Sequence, residues 1–418
     1  EPLIGLADTA IIGQMENNST IAQGGVGLAA GLIATLIWGF AQMRTSLSAI
    51  ISRQYGAQTI SRIKSLIPQA LVVTMLTGII LAILLGINYD YVSHFLYGDI
   101  NDMTFKFSED YFIIRLYGLP LGLLIALFFG VFRGFQNTYW AMYIGIIGGI
   151  SNIFLDYIFV LGVDNYISPM GVEGAAWASV ISQMLMTLLC VIFFLIKTPF
   201  NFKITNRINP FFKEMLLIFM NMFIRTMVLN FVFIISNRYA NSYGSNSLAA
   251  YTIAYNIWIF SAFFIDGYSN AGNALAGKYI GEKNNEKLKK LGNTLLKINI
   301  KIAIVLMCFY TILYQLIGGI FNSNENVIEV FENVFWIVIL AQPFNSIAFT
   351  FDGIFKGLGK AVDLRNTLII GTFLFFIPTI YLLDLIIPQL ISVWIALSAW
   401  MLFRGISLLV KFRKKVNS

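Results

Sequence analysis

The sequence is poor in the residues on which most catalytic chemistry depends. It has one histidine, His94, and two cysteines, Cys190 and Cys308. A single histidine argues against histidine-based zinc sites and against Ser-His-Asp chemistry. Both cysteines lie inside apolar runs, where they read as small core residues and not as a disulfide or metal pair. With no metal-ligand spacing either, a membrane-embedded enzyme lacks its catalytic cluster, and no cofactor is expected. Charge is scarce too: 12% of residues are charged and 58% are hydrophobic, against about 25% charged in a soluble domain. That deficit points to a membrane protein.

What the chain does have is long apolar runs. The net charge of +7 does not indicate nucleic acid. Its Lys and Arg sit in short clusters between apolar stretches of roughly 20 residues or more, the pattern of cytoplasmic loops. Eleven long segments are read at about 24–52, 66–96, 108–132, 138–163, 172–196, 211–240, 247–276, 291–320, 326–355, 365–387 and 389–411. A twelfth, Glu1 to Gln14, reaches only about 21 Å against a hydrocarbon core of about 30 Å, so the first helix is expected to begin before Glu1. Basic loops (Arg53, Arg62, Lys64; Arg133; Lys197, Lys203, Arg207; Lys278 to Lys290; Lys356, Lys360; Lys411 to Lys415) alternate with loops carrying Glu16, Asp99, Asp102, Asp164, Glu173 and Glu325. The positive-inside rule puts the basic set and both termini in the cytoplasm. The expectation is a multi-pass protein of the cell (inner) membrane.

The chain also repeats itself. Leu28, Ala29, Ala30, Ile33, Ala34, Ile37, Trp38 and Phe40 recur 220 residues later, from Leu248 to Phe260. Pro120, Gly130, Phe132, Arg133 and Gly134 align with Pro343, Gly353, Phe355, Lys356 and Gly357 at an offset of 223. Two six-helix halves in the same orientation follow: an N-terminal lobe over 1–196, a cytoplasmic linker over 197–210 and a C-terminal lobe over 211–418. The fold class is all-α, with twelve transmembrane helices and a cavity expected between parallel repeats.

Charges inside the apolar runs mark the candidate site. Asp156 has no basic neighbour in sequence, and Asn152 lies four residues earlier on the same helix face. Asp8 interrupts the first segment. At the repeat offset, Asp8 falls near Val228 and Asp156 near Thr379, so the second half has no matching acid. Intramembrane acids are expensive and functional by default. Burial and mutual repulsion both favour the protonated form, so at least one carboxyl is expected to exchange its proton near neutral pH. The competing account is a hydrogen-bonded acid pair that never changes charge.

Arg44, Arg115, Arg225 and Asp266 also lie in apolar segments. Arg225 and Asp266 read as a structural or gating pair, and Asp352 with Lys356 as a local helix pair. Glu1 lies two turns before Asp8. Gly145, Gly148 and Gly149 allow close helix approach.

Several stretches carry a resemblance to the multidrug and toxic compound extrusion family, in its DinF-like branch. They are Pro2 to Gly13, Asn152 to Asp156, Gly171 to Ser179, Phe223 to Thr226, Ile265 to Tyr268 and Ala274 to Gly277. The resemblance covers essentially the whole chain. It implies two six-helix lobes around a central cavity and export of mostly cationic amphipathic compounds, driven by H⁺ or Na⁺. It maps the coupling site onto Asp8, Asn152 and Asp156, and a cavity tyrosine onto Tyr111, with Arg115 one turn further on. Ile4 stands where some members have a tyrosine. Asn230 and Asn345 stand where the Na⁺-type branch has acids. The implied partners are the bilayer and small organic cations, with a monomer expected and no nucleic acid. A flippase for lipid-linked precursors is the alternative that Arg44, Arg115 and Arg225 keep open.

Overall fold

The computed structural model describes residues 8, 11–15, 18–98, 101–163, 166–203, 205, 207–322 and 324–417. Glu1, Ile4, Glu16, Asp99, Asp164 and most of the first apolar segment lie outside the described residues. Among the described residues there is no β-strand, only a bridge between Val163 and Ile167. Asp8 is helical. The helices that follow it are α1 (Ser19–Phe40), α2 (Met43–Gly56), α3 (Leu66–Ile87), α4 (Tyr89–Tyr97), α5 (Asp102–Gly134), α6 (Tyr139–Leu161), α7 (Gly171–Lys197) and α8 (Phe212–Ser242). Then come α9 (Ser245–Gly281), α10 (Asn285–Ile312), α11 (Tyr314–Phe321), α12 (Glu325–Gly357), α13 (Ala361–Gly371), α14 (Ile377–Ile386) and α15 (Leu390–Asn417). A π-helical turn, Thr372–Phe376, joins α13 to α14.

Eleven spans among the described residues are long and apolar enough to cross a membrane. Helices dominate because lipid offers the backbone no partners, so each segment must satisfy its own N–H and C=O groups. Only 22% of the most apolar stretch of Ile60–Ile87 is buried, and Ile80, Ile83, Leu84 and Ile87 are exposed. Such a surface belongs against lipid.

The chain divides into two compact units. The first comprises Glu1–Leu47 and Ser61–Met215, the second Ser48–Ile60 and Leu216–Ser418. The stretch Ser48–Ile60 thus packs with the second unit, a placement that a division into sequence halves does not give. In the first unit α5 is central and touches α1, α3 and α7, with α6 against α7. In the second unit α12 is central and touches α9, α10 and α15. Each unit has its own apolar core, with Phe112 and Tyr111 in the first and Phe335, Trp394 and Trp400 in the second.

The two central helices are built alike. Each has 33 residues, and each has a proline eighteen residues after its start, Pro120 and Pro343. Each opens on an asparagine whose side chain accepts from the backbone N–H two residues on, Asn101 from Met103 and Asn324 from Asn326. Each also ends on a helix contact too tight for a side chain. A Cβ on Gly130 would lie 2.5 Å from the Arg44 carbonyl oxygen, and one on Gly353 would lie 2.3 Å from that of Ser269. The repeat read from the sequence is therefore a repeat of caps, internal prolines and contacts.

Candidate functional site

The site lies in the first unit. Asp8, Asn152 and Asp156 each have no exposed surface, and Tyr111 has 1%. Four helices supply them. Tyr111 comes from the buried face of α5, Asn152 and Asp156 from one face of α6, and Ser179 from α7.

Helices α6 and α7 approach closely where Gly174 meets the end of α6. A Cβ on Gly174 would lie 2.5 Å from the Phe159 carbonyl oxygen. Of the three α6 glycines singled out in the sequence, only Gly148 makes such a contact, against Met186; Gly145 and Gly149 face open space. This packing brings Ser179 to the Asn152 side chain.

The hydrogen bonds converge on Asp8. The Tyr111 hydroxyl donates to Asp8 Oδ2 at 2.7 Å, and the Ser179 hydroxyl donates to the same oxygen at 3.1 Å. Asn152 Nδ2 donates to Ser179 Oγ at 3.4 Å. The Asp156 carboxyl lies against that of Asp8. Asp8 Oδ1, Asn152 Oδ1 and both Asp156 oxygens find no hydrogen-bond donor among the described residues. Buried polar atoms are otherwise almost always bonded. An acceptor-only cluster of this kind calls for a proton or a small cation.

Arg115 lies one turn beyond Tyr111 on α5, with 6% of its surface exposed. Its guanidinium carbon is 5.9 Å from the centre of the Tyr111 ring. The five sequence candidates of the first lobe (Asp8, Asn152, Asp156, Tyr111, Arg115) therefore meet in one place. Sequence reasoning missed Ser179, although it closes one of the matched stretches. A serine in an apolar helix is too common to stand out.

The remaining candidates meet elsewhere. Arg225 does not pair with Asp266: its guanidinium donates to Asp352 on α12. Lys356 and Arg404 also reach that carboxylate, at 3.4 Å and 3.7 Å. Asp266 is half-buried and acts on Arg404 from a distance. Two acids and three cations thus share the interior of the second unit. Arg404 was not singled out, although a charge inside an apolar run had flagged Arg225. Its guanidinium also lies 4.6 Å over the Trp400 ring, a cation–π contact that shelters it in an apolar core.

Comparison with known proteins bears on the whole chain. A family model, MatE, matches residues 1–158 and 222–382. Protein DETOXIFICATION 43 of Arabidopsis thaliana is 27% identical over 340 residues, a match covering 80% of this chain and 62% of that protein. The chain thus spans less than two thirds of that plant relative. DNA damage-inducible protein F of Escherichia coli (strain K12) is 25% identical over 423 residues, covering 99% of this chain and 88% of the relative. A crystal structure of a MATE protein in a bent conformation shares the fold, with a TM-score of 0.90 at 19% identity over 99% of this chain and 91% of the other. Asp8, Asp156 and both proline-containing central helices fall inside the matched stretches, and the chain belongs to the MatE, or multidrug and toxic compound extrusion, family of membrane transporters.

Proposed function

We propose that the protein is a secondary active antiporter that exports organic, mostly cationic amphipathic compounds in exchange for H⁺ by alternating access. The observation that carries this reading is the buried pair Asp8 and Asp156. Two carboxyls lie together, one is held by Tyr111 and Ser179, and the other has no donor among the described residues. Like charges buried side by side resist double ionisation, so one proton shared by the pair is the simplest occupant. Losing it leaves net negative charge in the lobe, which favours a cationic solute. Gaining it removes that attraction and releases the solute. Family membership, and a relative named as a detoxification protein, support export as the direction. The working setting is the cell membrane, with both termini in the cytoplasm and the protein acting as a monomer.

A second reading has its own support. Asp8 Oδ1, Asn152 Oδ1 and the two Asp156 oxygens are also an all-oxygen donor set of the kind a hard cation such as Na⁺ takes. The test uses the full-length protein in proteoliposomes loaded with a fluorescent organic cation. Efflux that follows a pH gradient and vanishes in Asp8→Asn and Asp156→Asn supports proton coupling. Efflux that follows Na⁺ alone reassigns the same residues to sodium. Undiminished efflux in both variants removes the acids from the coupling role.

A further inference from the structure

The outward face of α10 changes character along its length. At about 3.6 residues per turn, Lys290, Lys297 and Lys301 fall within roughly 40° of arc. All three are exposed. Leu288, Leu295 and Asn299, on the opposite side of the helix, are buried. The outward face continues as Ile304, Val305, Cys308 and Ile312, all apolar and all exposed. Helix α10 is long and apolar enough to cross a membrane, so these later residues lie against acyl chains. The lysines occupy the turns at which the lipid-facing surface passes from hydrocarbon to head groups. Helical side chains also tilt toward the helix N-terminus, which in α10 is the polar end. Lys297 and Lys301 therefore carry their ammonium groups back toward the interface while their stems cover apolar surface.

Nearby acids do not neutralise this face. Glu282 is taken by Lys278 and Lys287, and Lys289 donates to Asn417 Oδ1 at the end of α15. Lys290, Lys297 and Lys301 have neither an acid nor a hydrogen-bond partner among the described residues. A shallow cleft along the helix is lined by Lys289, Lys290, Asn293, Thr294 and Lys297, with Glu286 at its polar end. Amide and hydroxyl donors thus lie between the cations. The repeat does not require this face: α3, the corresponding helix of the first half, runs from Leu66 to Ile87 without a charged residue.

We propose that this face of α10 binds an anionic phospholipid, with its phosphate among Lys290, Lys297 and Lys301 and its acyl chains on Ile304, Val305 and Ile312. Continuity with the lipid-covered surface selects a lipid over a soluble anion. A zwitterionic lipid sets its own cation beside the phosphate and gains less. Each lysine near an anionic membrane surface contributes a factor of about five in affinity. The site needs only the bilayer and is independent of the coupling ion. The orientation proposed above places it in the cytoplasmic leaflet.

The test uses the full-length protein in nanodiscs containing equal amounts of phosphatidylglycerol and phosphatidylcholine with identical acyl chains. Native mass spectrometry reads which lipids stay bound on release. We expect the wild type to retain phosphatidylglycerol preferentially. Lys297→Gln and Lys301→Gln should each lower that preference about fivefold, and the triple variant that adds Lys290→Gln should abolish it. A control with Lys283→Gln, Lys287→Gln and Lys414→Gln removes as much charge from the same end of the second unit and should keep the preference. If the triple variant does not fold, the single variants carry the comparison. A wild type without preference, or an undiminished preference in the α10 variants, overturns the proposal. So does an equal loss in the control, which would reduce the effect to diffuse attraction by a basic end of the protein.

Discussion

The Tyr111 hydroxyl donates to Asp8 Oδ2 at 2.7 Å across 103 residues of sequence. That bond joins Asp8 to the first third of α5 and leaves Asp8 Oδ1 open beside Asp156. A hydrogen bond to an ionised group is worth about 1.5–3 kcal/mol, and 1.4 kcal/mol is a factor of ten. Tyr111→Phe is therefore expected to lower the initial rate of efflux about tenfold or more. Ser179→Ala removes a longer bond from the same oxygen and also releases Asn152, so a several-fold loss is expected. Initial rates in proteoliposomes check both. Wild-type rates in Tyr111→Phe would remove the hydroxyl from the working site.

Asp352 holds the second unit's charge together. Its carboxylate receives Arg225, Lys356 and Arg404, while Arg225 and Arg404 are nearly fully buried. Removing one member of a buried ion cluster leaves uncompensated charge and costs about 3–5 kcal/mol. Asp352→Asn should lower the unfolding temperature in detergent sharply and reduce the yield of folded protein. Asp266→Asn, at a half-buried residue with a remote partner, should change it little. Equal effects of the two substitutions would restore the Arg225–Asp266 pairing suggested by sequence.

The parts of this molecule that are dictated by lipid could be read from its residues. Apolar length gives the spans, and the offset between Pro120 and Pro343 gives the repeat. Hydropathy does not register a break between two apolar helices, however. The run read as 66–96 is split at Asn88 into α3 and α4, with the Asn88 side chain donating to the Leu84 carbonyl. The run read as 291–320 is likewise split at Leu313. The acids of the first lobe were legible because a lone carboxylate in an apolar run is anomalous. Ser179 was not, because its importance comes from what α7 packs against. Nor can sequence say which acid meets Arg225, since Asp266 and Asp352 both interrupt apolar runs and only the three-dimensional placement of Arg225 beside Asp352 chooses.

Tyr243 ties the turn after α8 to two later helices. Its hydroxyl donates to Asp384 Oδ1 at 2.5 Å and lies 3.2 Å from Ser392 Oγ. Burial, then the bond to Asp384, push the Tyr243 phenol up to about 12 from an ordinary 10.0. A folded-state value above the unfolded one means that the stabilisation is complete below pH 10 and fades as pH rises through 12. Tyr243→Phe should therefore lose about 1 kcal/mol, with a constant difference from wild type across neutral pH. That difference should shrink only above about pH 10. Thermal unfolding at a series of pH values checks it, and a difference that varies through the neutral range would show that another group controls the contact.

Gly174 sets the distance between the two helices that carry most of the proposed coupling site. A Cβ there meets the Phe159 carbonyl oxygen at 2.5 Å, and that oxygen belongs to backbone that cannot swing aside. The Phe159 carbonyl also accepts from the Met170 N–H at 2.8 Å, so the turn between α6 and α7 is tied to the same atom. Forcing a methyl into such a contact costs about 1–3 kcal/mol. The helices must separate, and the 3.4 Å contact from Asn152 to Ser179 is the one with least length to spare. Gly174→Ala is expected to cut efflux several-fold with a modest loss of stability, and Gly174→Val to abolish efflux. Gly149→Ala, on the same helix as Asn152 but with its Cβ in open space, is the matched control and should leave both unchanged. Efflux rates and unfolding temperatures for the three variants separate a spacing effect on the site from general damage to the lobe. If Gly174→Ala loses stability but keeps its rate, the Asn152–Ser179 contact is dispensable, and the site consists of Tyr111, Asp8 and Asp156 alone.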